Sequence, residues 1–230
     1  VSEAQISTEG SRNIVVSLPG KPDQQTLDRV KASARLDFRA VLQTSGPTNE
    51  VVGADGKSTP APSPAPGLQS TPSTKPTNGS DLAWVTPELQ AQFDAYDCAA
   101  NKNKDLSAAP TDQPLITCDD GNTVKYLLGP VEVKGQNITD ASAAIMQSSQ
   151  GVSTGQWAVN IVFDGTGTKQ FAAVTTRLIT LQGAQNQFAI VLDGRVISAP
   201  TTQSAITDGK PQISGNFTEQ SAKTLADQLK

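Results

Sequence analysis

Two aspartates, each followed by glycine, are the residues best placed by type and spacing to do chemistry: Asp164 in VFDGTG and Asp193 in FAIVLDGRVISAP. None of the 230 residues is histidine, so proton transfer near neutral pH would have to rest on such carboxylates. Each Asp-Gly pair also has a simpler reading. Between FAIVL and RVIS, Asp193 and Gly194 form a two-residue hairpin turn, because both turn positions take positive φ and these residues tolerate it. No second carboxylate, histidine or lysine is held near Asp193 by sequence spacing. Asp164 reads likewise as the end of a strand.

Other motifs are fragments. GADGKST (53–59) imitates a phosphate-binding loop, but Val51 stands where its first glycine is needed. GTG (165–167) lacks the third glycine of a dinucleotide fingerprint. Two cysteines, Cys98 and Cys118, cannot make a zinc site alone, and they lie in a stretch rich in Asn, Asp, Lys and Pro. A disulfide is the simpler reading and two free thiols the alternative; a lone pair of cysteines is typical of an oxidising compartment. Neither a metal nor a cofactor is expected. Sequons at Asn78, Asn137 and Asn216 matter only in a glycosylating host.

Composition narrows the partners. The 22 acidic and 18 basic residues give a net charge of -4, and the cations are scattered, which excludes a nucleic-acid stripe. Apolar runs such as Phe188 to Leu192 fall far short of the roughly 20 residues that span a bilayer. The start at Val1 without Met and the helical pattern running into Lys230 suggest part of a longer protein, with any membrane contact made through flanking segments.

The elements that must position these residues follow from periodicity. Residues 46–80 carry 7 of the 15 prolines and almost no large apolar side chain, and read as a flexible linker. They divide the chain into residues 1–45 and 81–230. In the first part, two strands form a hairpin through NIVVSL (13–18). A helix capped by Asp23 follows, carrying Leu27, Val30 and Ala34. LDFRAVL (36–42) is a strand with Leu36, Phe38, Ala40 and Leu42 inward and Asp37, Arg39 and Val41 outward.

In the second part, Thr86 and Pro87 open a short helix after Trp84, TVKYLLG and VEVKG are two strands, and Thr139 caps a helix with Ala141, Ala144 and Ile145 inward. QWAVNIVFD (156–164) is a half-buried strand, Thr168 caps a helix through Phe171, Val174 and Leu178, and Thr218 caps the last. Strands and helices mix without a strict βαβ rhythm, so the class is α+β.

QWAVNIVFDGTGTKQFAAVTTR, FAIVLDGRVISAP and ITDGKPQISGNFTEQSAKTLADQL resemble the signature blocks of SecD, the large-ectodomain partner of SecF in the bacterial Sec translocase. VSEAQISTEGSRNIVVSLPG and ARLDFRAV are similar to that family's GVSEA, IVVQLPG and LEFR blocks. The resemblance runs in order along the chain and skips only the Pro-rich stretch and the cysteine loop.

It implies a ferredoxin-like base (1–45) and a mobile α+β head (81–230) on the extracytoplasmic side of the cell membrane, acting with SecF and the Sec channel on unfolded preprotein and driven by the proton gradient. No enzyme activity is implied; an extracytoplasmic carboxylate-based enzyme or solute-binding domain is the alternative. Under this resemblance Asp193, Gly194, Pro200 and Gly215 shape hairpins and hinges, and Phe217 beside Asn216 anchors the last helix. Trp84, Trp157 and Phe188 are candidates for a shallow substrate groove, or else core. Family members carry a further strand and helix before the GVSEA block. Without them the strand at 36–42 is expected to pair elsewhere in this chain or with a second copy.

Overall fold

A computed structural model describes residues 5–9, 13–17, 35–52, 58–147 and 153–229. The chain divides into two units, Val1–Ala34 and Arg35–Lys230. In the first, strands β1 (Gln5–Glu9) and β2 (Asn13–Ser17) pair antiparallel, with Ser7 opposite Val15. The helix expected from Asp23 through Ala34 lies outside the described residues.

The second unit begins with β3 (Leu36–Ser45), the hairpin β4 (Glu50–Val52) and β5 (Ser58–Pro60), and helix α1 (Pro87–Ala95). Then come β6 (Leu115–Cys118), β7 (Lys125–Lys134), β8 (Ile138–Gln147) and β9 (Ser153–Phe163). Helix α2 (Gly165–Leu178), strands β10 (Phe188–Leu192), β11 (Arg195–Ser198) and β12 (Gln212–Phe217), and helix α3 (Glu219–Gln228) complete it. Antiparallel sheets with helices packed on them make this an α+β fold.

The larger sheet has the order β11-β10-β3-β7-β6 and the smaller β12-β9-β8. The larger one is rolled: beyond the end of β6, Asp119 bridges Val196 of β11, and Asp120 donates its N–H to the Val196 carbonyl at 3.2 Å. Its strands β3 and β10 are covered on both faces, which explains why FAIVL is apolar without alternation. Phe188 and Ile190 join one cluster with Phe38, Phe163, Phe171 and Leu178; Ala189 and Val191 join another with Val41, Leu128 and Val196.

Several expectations are corrected. The strand expected at 36–42 in a base is the middle strand of the larger sheet, paired with β10 and β7, so the division of the chain falls after Ala34 rather than at residue 45. Arg39, expected on an outward face, is fully buried. TVKYLLG and VEVKG form one strand; Pro130 is tolerated because it falls in a register shift of the β3 ladder, between Val41↔Leu128 and Arg39↔Val131, and beyond the last β6 pair at Leu128.

The segment after Thr139 is a strand, not a helix. Its Ala-rich stretch has helical propensity, but pairing with β9 from Ile138↔Phe163 to Gln147↔Ser153 outweighs it. Helix α2 starts three residues before Thr168, with Asp164 as its N-cap. Residues 61–77 are mostly exposed and form neither helix nor strand, yet this stretch is tied down at points: the Gln69 carbonyl accepts from Glu88 N–H at 3.2 Å, and Asp81 accepts from Thr77.

Candidate functional site

The hairpin turn between β10 and β11 has φ of 48° at Asp193 and 82° at Gly194, the mirror-image turn expected of Asp-Gly. It is fastened to the start of β3. Asp193 Oδ1 accepts from Arg35 N–H at 2.8 Å, and Asp193 N–H donates to the Arg35 carbonyl at 2.9 Å. A side chain at Gly194 would collide with Leu106, whose Cβ lies 2.2 Å from the position an added Cβ would take. Asp164 is equally occupied: its Oδ1 accepts from Gly167 N–H at 2.7 Å, and Asn137 donates to both of its oxygens. The Gly167 hydrogen bond, followed by those from Asn137, holds this carboxyl below its usual value. Both aspartates shape backbone.

At the other end of this hairpin, beside Phe188 and Pro200, lies a cleft of about 290 Å³ between the two sheets. Its floor is aromatic. Phe38, Phe171 and Phe188, from β3, α2 and β10, meet with ring centroids 5.4 to 5.9 Å apart. Its rim is the loop from Pro200 to Ser204, with Gln212, Ile213 and Ser214 of β12 forming the opposite wall.

Hydrogen bonds hold the rim in place. The Pro200 carbonyl accepts from Phe188 N–H at 3.1 Å, and Thr202 N–H donates to the Asn186 carbonyl at 3.0 Å. Further along, Ile206 N–H donates to Thr175 Oγ1 at 3.0 Å. The same hydroxyl donates back to the Phe171 carbonyl, so one threonine ties the loop to the helix under the floor.

No residue lining this cleft carries an ionisable side chain; the polar groups are hydroxyls, amides and backbone. Such a surface can take an apolar side chain while its rim hydrogen-bonds neighbouring main chain. It offers no group for acid-base chemistry.

A second concavity, about 420 Å³, lies where residues 76–79 and Trp84 cross β7 and α2. It does hold charge, but Arg177 and Glu132 close on one another at 2.5 Å, and Arg177 Nε also donates to Ser80 Oγ at 3.1 Å. Burial raises the Glu132 carboxyl above its usual value, and Arg177 offsets part of that rise. A pair so engaged has little capacity left for a ligand. Among the described residues, no group of three or more Cys, Asp or Glu side chains converges as a metal site would require.

The structure separates the three groove candidates. Phe188 lies in the cleft floor and Pro200 in its rim. Trp84 lines the polar concavity, donating Nε1–H to the Asn78 carbonyl at 2.9 Å. Trp157 packs against the main cluster, with Lys223 Nζ 5.8 Å from its ring centroid. Phe217 pairs with Trp157 and packs on that cluster directly before the Thr218 cap; the register shifts across Gly215 and Asn216. Sequence reasoning missed Phe38, Phe171, Thr175 and Ile213 as cleft residues. Inward placement of Phe38 and Phe171 was the one available signal. Away from the cleft, Cys98 and Cys118 are joined in a buried disulfide with Cα atoms 5.9 Å apart.

Residues 112–230 match the family described as SecDF, P1 head subdomain. The chain is 31% identical to the protein translocase subunit SecD of Streptomyces coelicolor, across all of this chain and 50% of that protein. It is 30% identical to the SecD of Acetobacter pasteurianus, across 97% of this chain and 30% of that protein. A solved structure of SecDF, described as a membrane component that enhances protein export, covers all of this chain and 78% of its own at 27% identity, with a TM-score of 0.43. The chain thus spans half or less of the length of these curated relatives. Among the described residues, no helix is long and apolar enough to cross a membrane.

Proposed function

The chain belongs to the SecD/SecDF family of protein translocase subunits, and from that premise we propose that it is an extracytoplasmic domain that binds translocating, unfolded preprotein in the aromatic cleft. In the whole protein it moves with proton-gradient-driven changes in SecD and SecF beside the Sec channel. The observation that carries this reading is the chemistry of the cleft: an apolar floor, an uncharged hydrogen-bonding rim and room for one or two large side chains.

Burying a single large apolar side chain is worth about 1.5–3 kcal/mol, which gives the weak hold that a moving chain requires. Asp193, Gly194 and Pro200 serve this site by fixing the hairpin and the start of the rim. Residues 58–80 act as a strap within the larger unit, held at Gln69 and at Asp81. Acid–base catalysis would need unpaired ionisable groups in a cavity, and the ionisable pair beside Trp84 is already closed.

The test is site-specific photocrosslinking from Gln203, which is exposed on the rim. An unfolded secretory protein should be captured in preference to its folded form. Equal capture of the two forms, or turnover of an ester, peptide or glycoside, would overturn the proposal.

A further inference from the structure

The wall of the cleft opposite its rim is an unpaired strand edge, and hydrogen-bond parity shows which groups it presents. Ile161 N–H donates to the Pro211 carbonyl at 3.0 Å and Phe163 N–H to the Gly209 carbonyl at 2.9 Å, so odd-numbered residues of β9 turn their main chain toward β12. With Ile213 opposite Val159, and Gln212 and Ser214 opposite Asn160 and Ala158, Ile213 is bonded to β9. The N–H and C=O groups of Gln212 and Ser214 therefore point the other way, off the edge. Both residues are exposed, and no described strand pairs with that edge. Both also line the cleft.

We propose that the guest in the cleft binds as an added β-strand alongside β12, its main chain bonded to Gln212 and Ser214 and its apolar side chains dropped onto the aromatic floor. This rests on the reading of the cleft as a site for unfolded polypeptide and specifies how such a chain is recognised. Main-chain bonds give affinity that any extended sequence can satisfy, and alternate side chains meet the floor. Ile213 faces the core cluster that contains the floor phenylalanines. A guest residue pointing the same way must be apolar, while its neighbours face solvent and are free to be polar or charged.

The ligand class is thus an extended segment with apolar residues at every second position and unmodified amides. The exposed edge is short. Two outward residues cannot bury the roughly 1,200 Å² that a stable protein–protein interface takes, which favours a transient extended guest over a second folded copy.

The probes are reduced, carboxymethylated α-lactalbumin as a permanently unfolded protein and an acetylated heptapeptide alternating valine with threonine, titrated into the full 230-residue protein. N-methylation of one alternate set of peptide amides should weaken binding at least tenfold, and methylation of the other set should leave it within twofold. Which set is sensitive distinguishes antiparallel from parallel addition. Ser214→Pro, which removes an outward N–H and spares the β9 ladder, should weaken both probes at least tenfold.

Equal tolerance of both N-methylated peptides, with capture at Gln203 retained, overturns strand addition and leaves the cleft reading standing. Failure of the unmodified peptide and of the unfolded protein alike overturns both. A dimer in solution that Ser214→Pro dissolves would assign the edge to a second copy and also overturn the proposal. If Ser214→Pro does not fold, the peptide comparison on the unsubstituted protein still decides.

Discussion

The cleft side of β3 and the side carrying α1 and the disulfide are held together by different physics. On the cleft side, Phe38 contacts Phe163, Phe171 and Phe188, and the packing is apolar and regular. Elsewhere on the larger sheet, irregular chain is fastened by cations that reach backbone carbonyls. Arg39 donates to the carbonyls of Gln113, Gly129 and Pro110 at 2.8 to 3.0 Å. Lys125 Nζ donates to those of Thr48, Asp94 and Tyr96 at 3.0 to 3.2 Å and sits 4.9 Å from the Phe93 ring centroid.

Burial lowers the Arg39 guanidinium to about 10, which still leaves it charged at neutral pH. The disulfide from Cys98 to Cys118 reinforces the same side. Regular elements bury their faces by periodicity. Segments poor in apolar residues need directional bonds and a covalent link.

The largest effect should come from emptying the cleft side. Phe38 is 1% exposed, and Phe38→Ala removes the ring shared by three aromatic contacts. A loss of about 3–5 kcal/mol is expected in urea unfolding, as for buried Phe truncations generally. A loss below about 1 kcal/mol would break the contrast, because it would show that apolar packing does not govern that side. Next comes the covalent link. Replacing both cysteines by serine opens a loop with a sequence separation of 20 and should cost about 3 kcal/mol in the chain-entropy picture.

What the sequence made legible was local. The caps at Thr86 and Thr218, strand β9 and the Asp-Gly turn each depend on neighbours a few residues away, and the structure has them where the spacing puts them. The cleft was not legible, since its floor gathers phenylalanines from β3, α2 and β10 and its rim is fixed by a bond between Thr175 and Ile206. Long-range contacts of this kind leave no trace in spacing.

Arg39 misled for the same reason. Alternation placed it outward, but carbonyls from residues 110, 113 and 129 surround its guanidinium, so a charged residue occupies an interior position. The stretch through Ala141 and Ala144 misled because alanine satisfies a helical and an alternating pattern alike.

A smaller effect sharpens the contrast on the clamped side. Lys125→Met leaves three carbonyls without their donor and should destabilise by about 1–3 kcal/mol. The Asp94 and Tyr96 carbonyls that it holds lie just before Cys98, so Lys125 and the disulfide secure one segment. Combining Lys125→Met with the cysteine replacements should be non-additive by at least about 0.5 kcal/mol, whereas Phe38→Ala should add to either. Additivity throughout would mean that the clamp and the disulfide act independently.

The smallest effect is the response to acid, which tests carboxylates on both sides. Backbone hydrogen bonds from Ala83 and Thr77 hold Asp81 below its usual value, and the bonds from Gly167 and Asn137 do the same for Asp164 at the start of α2. An unfolded aspartate titrates near about 3.9, so each group's contribution is present above that pH and is lost as pH falls through its lower folded value. Glu132 runs the other way. Burial raises it, so its contribution is fullest below the unfolded value and declines as pH rises through the folded one. Urea midpoints followed from about pH 6 to about pH 2.5 should fall at the acid end, and Asp164→Asn should flatten that fall while keeping a capping side chain. A profile identical in the wild type and Asp164→Asn would show that the Asp164 charge adds nothing to the cap. The aromatic side would then owe its acid sensitivity to no carboxylate at the start of α2.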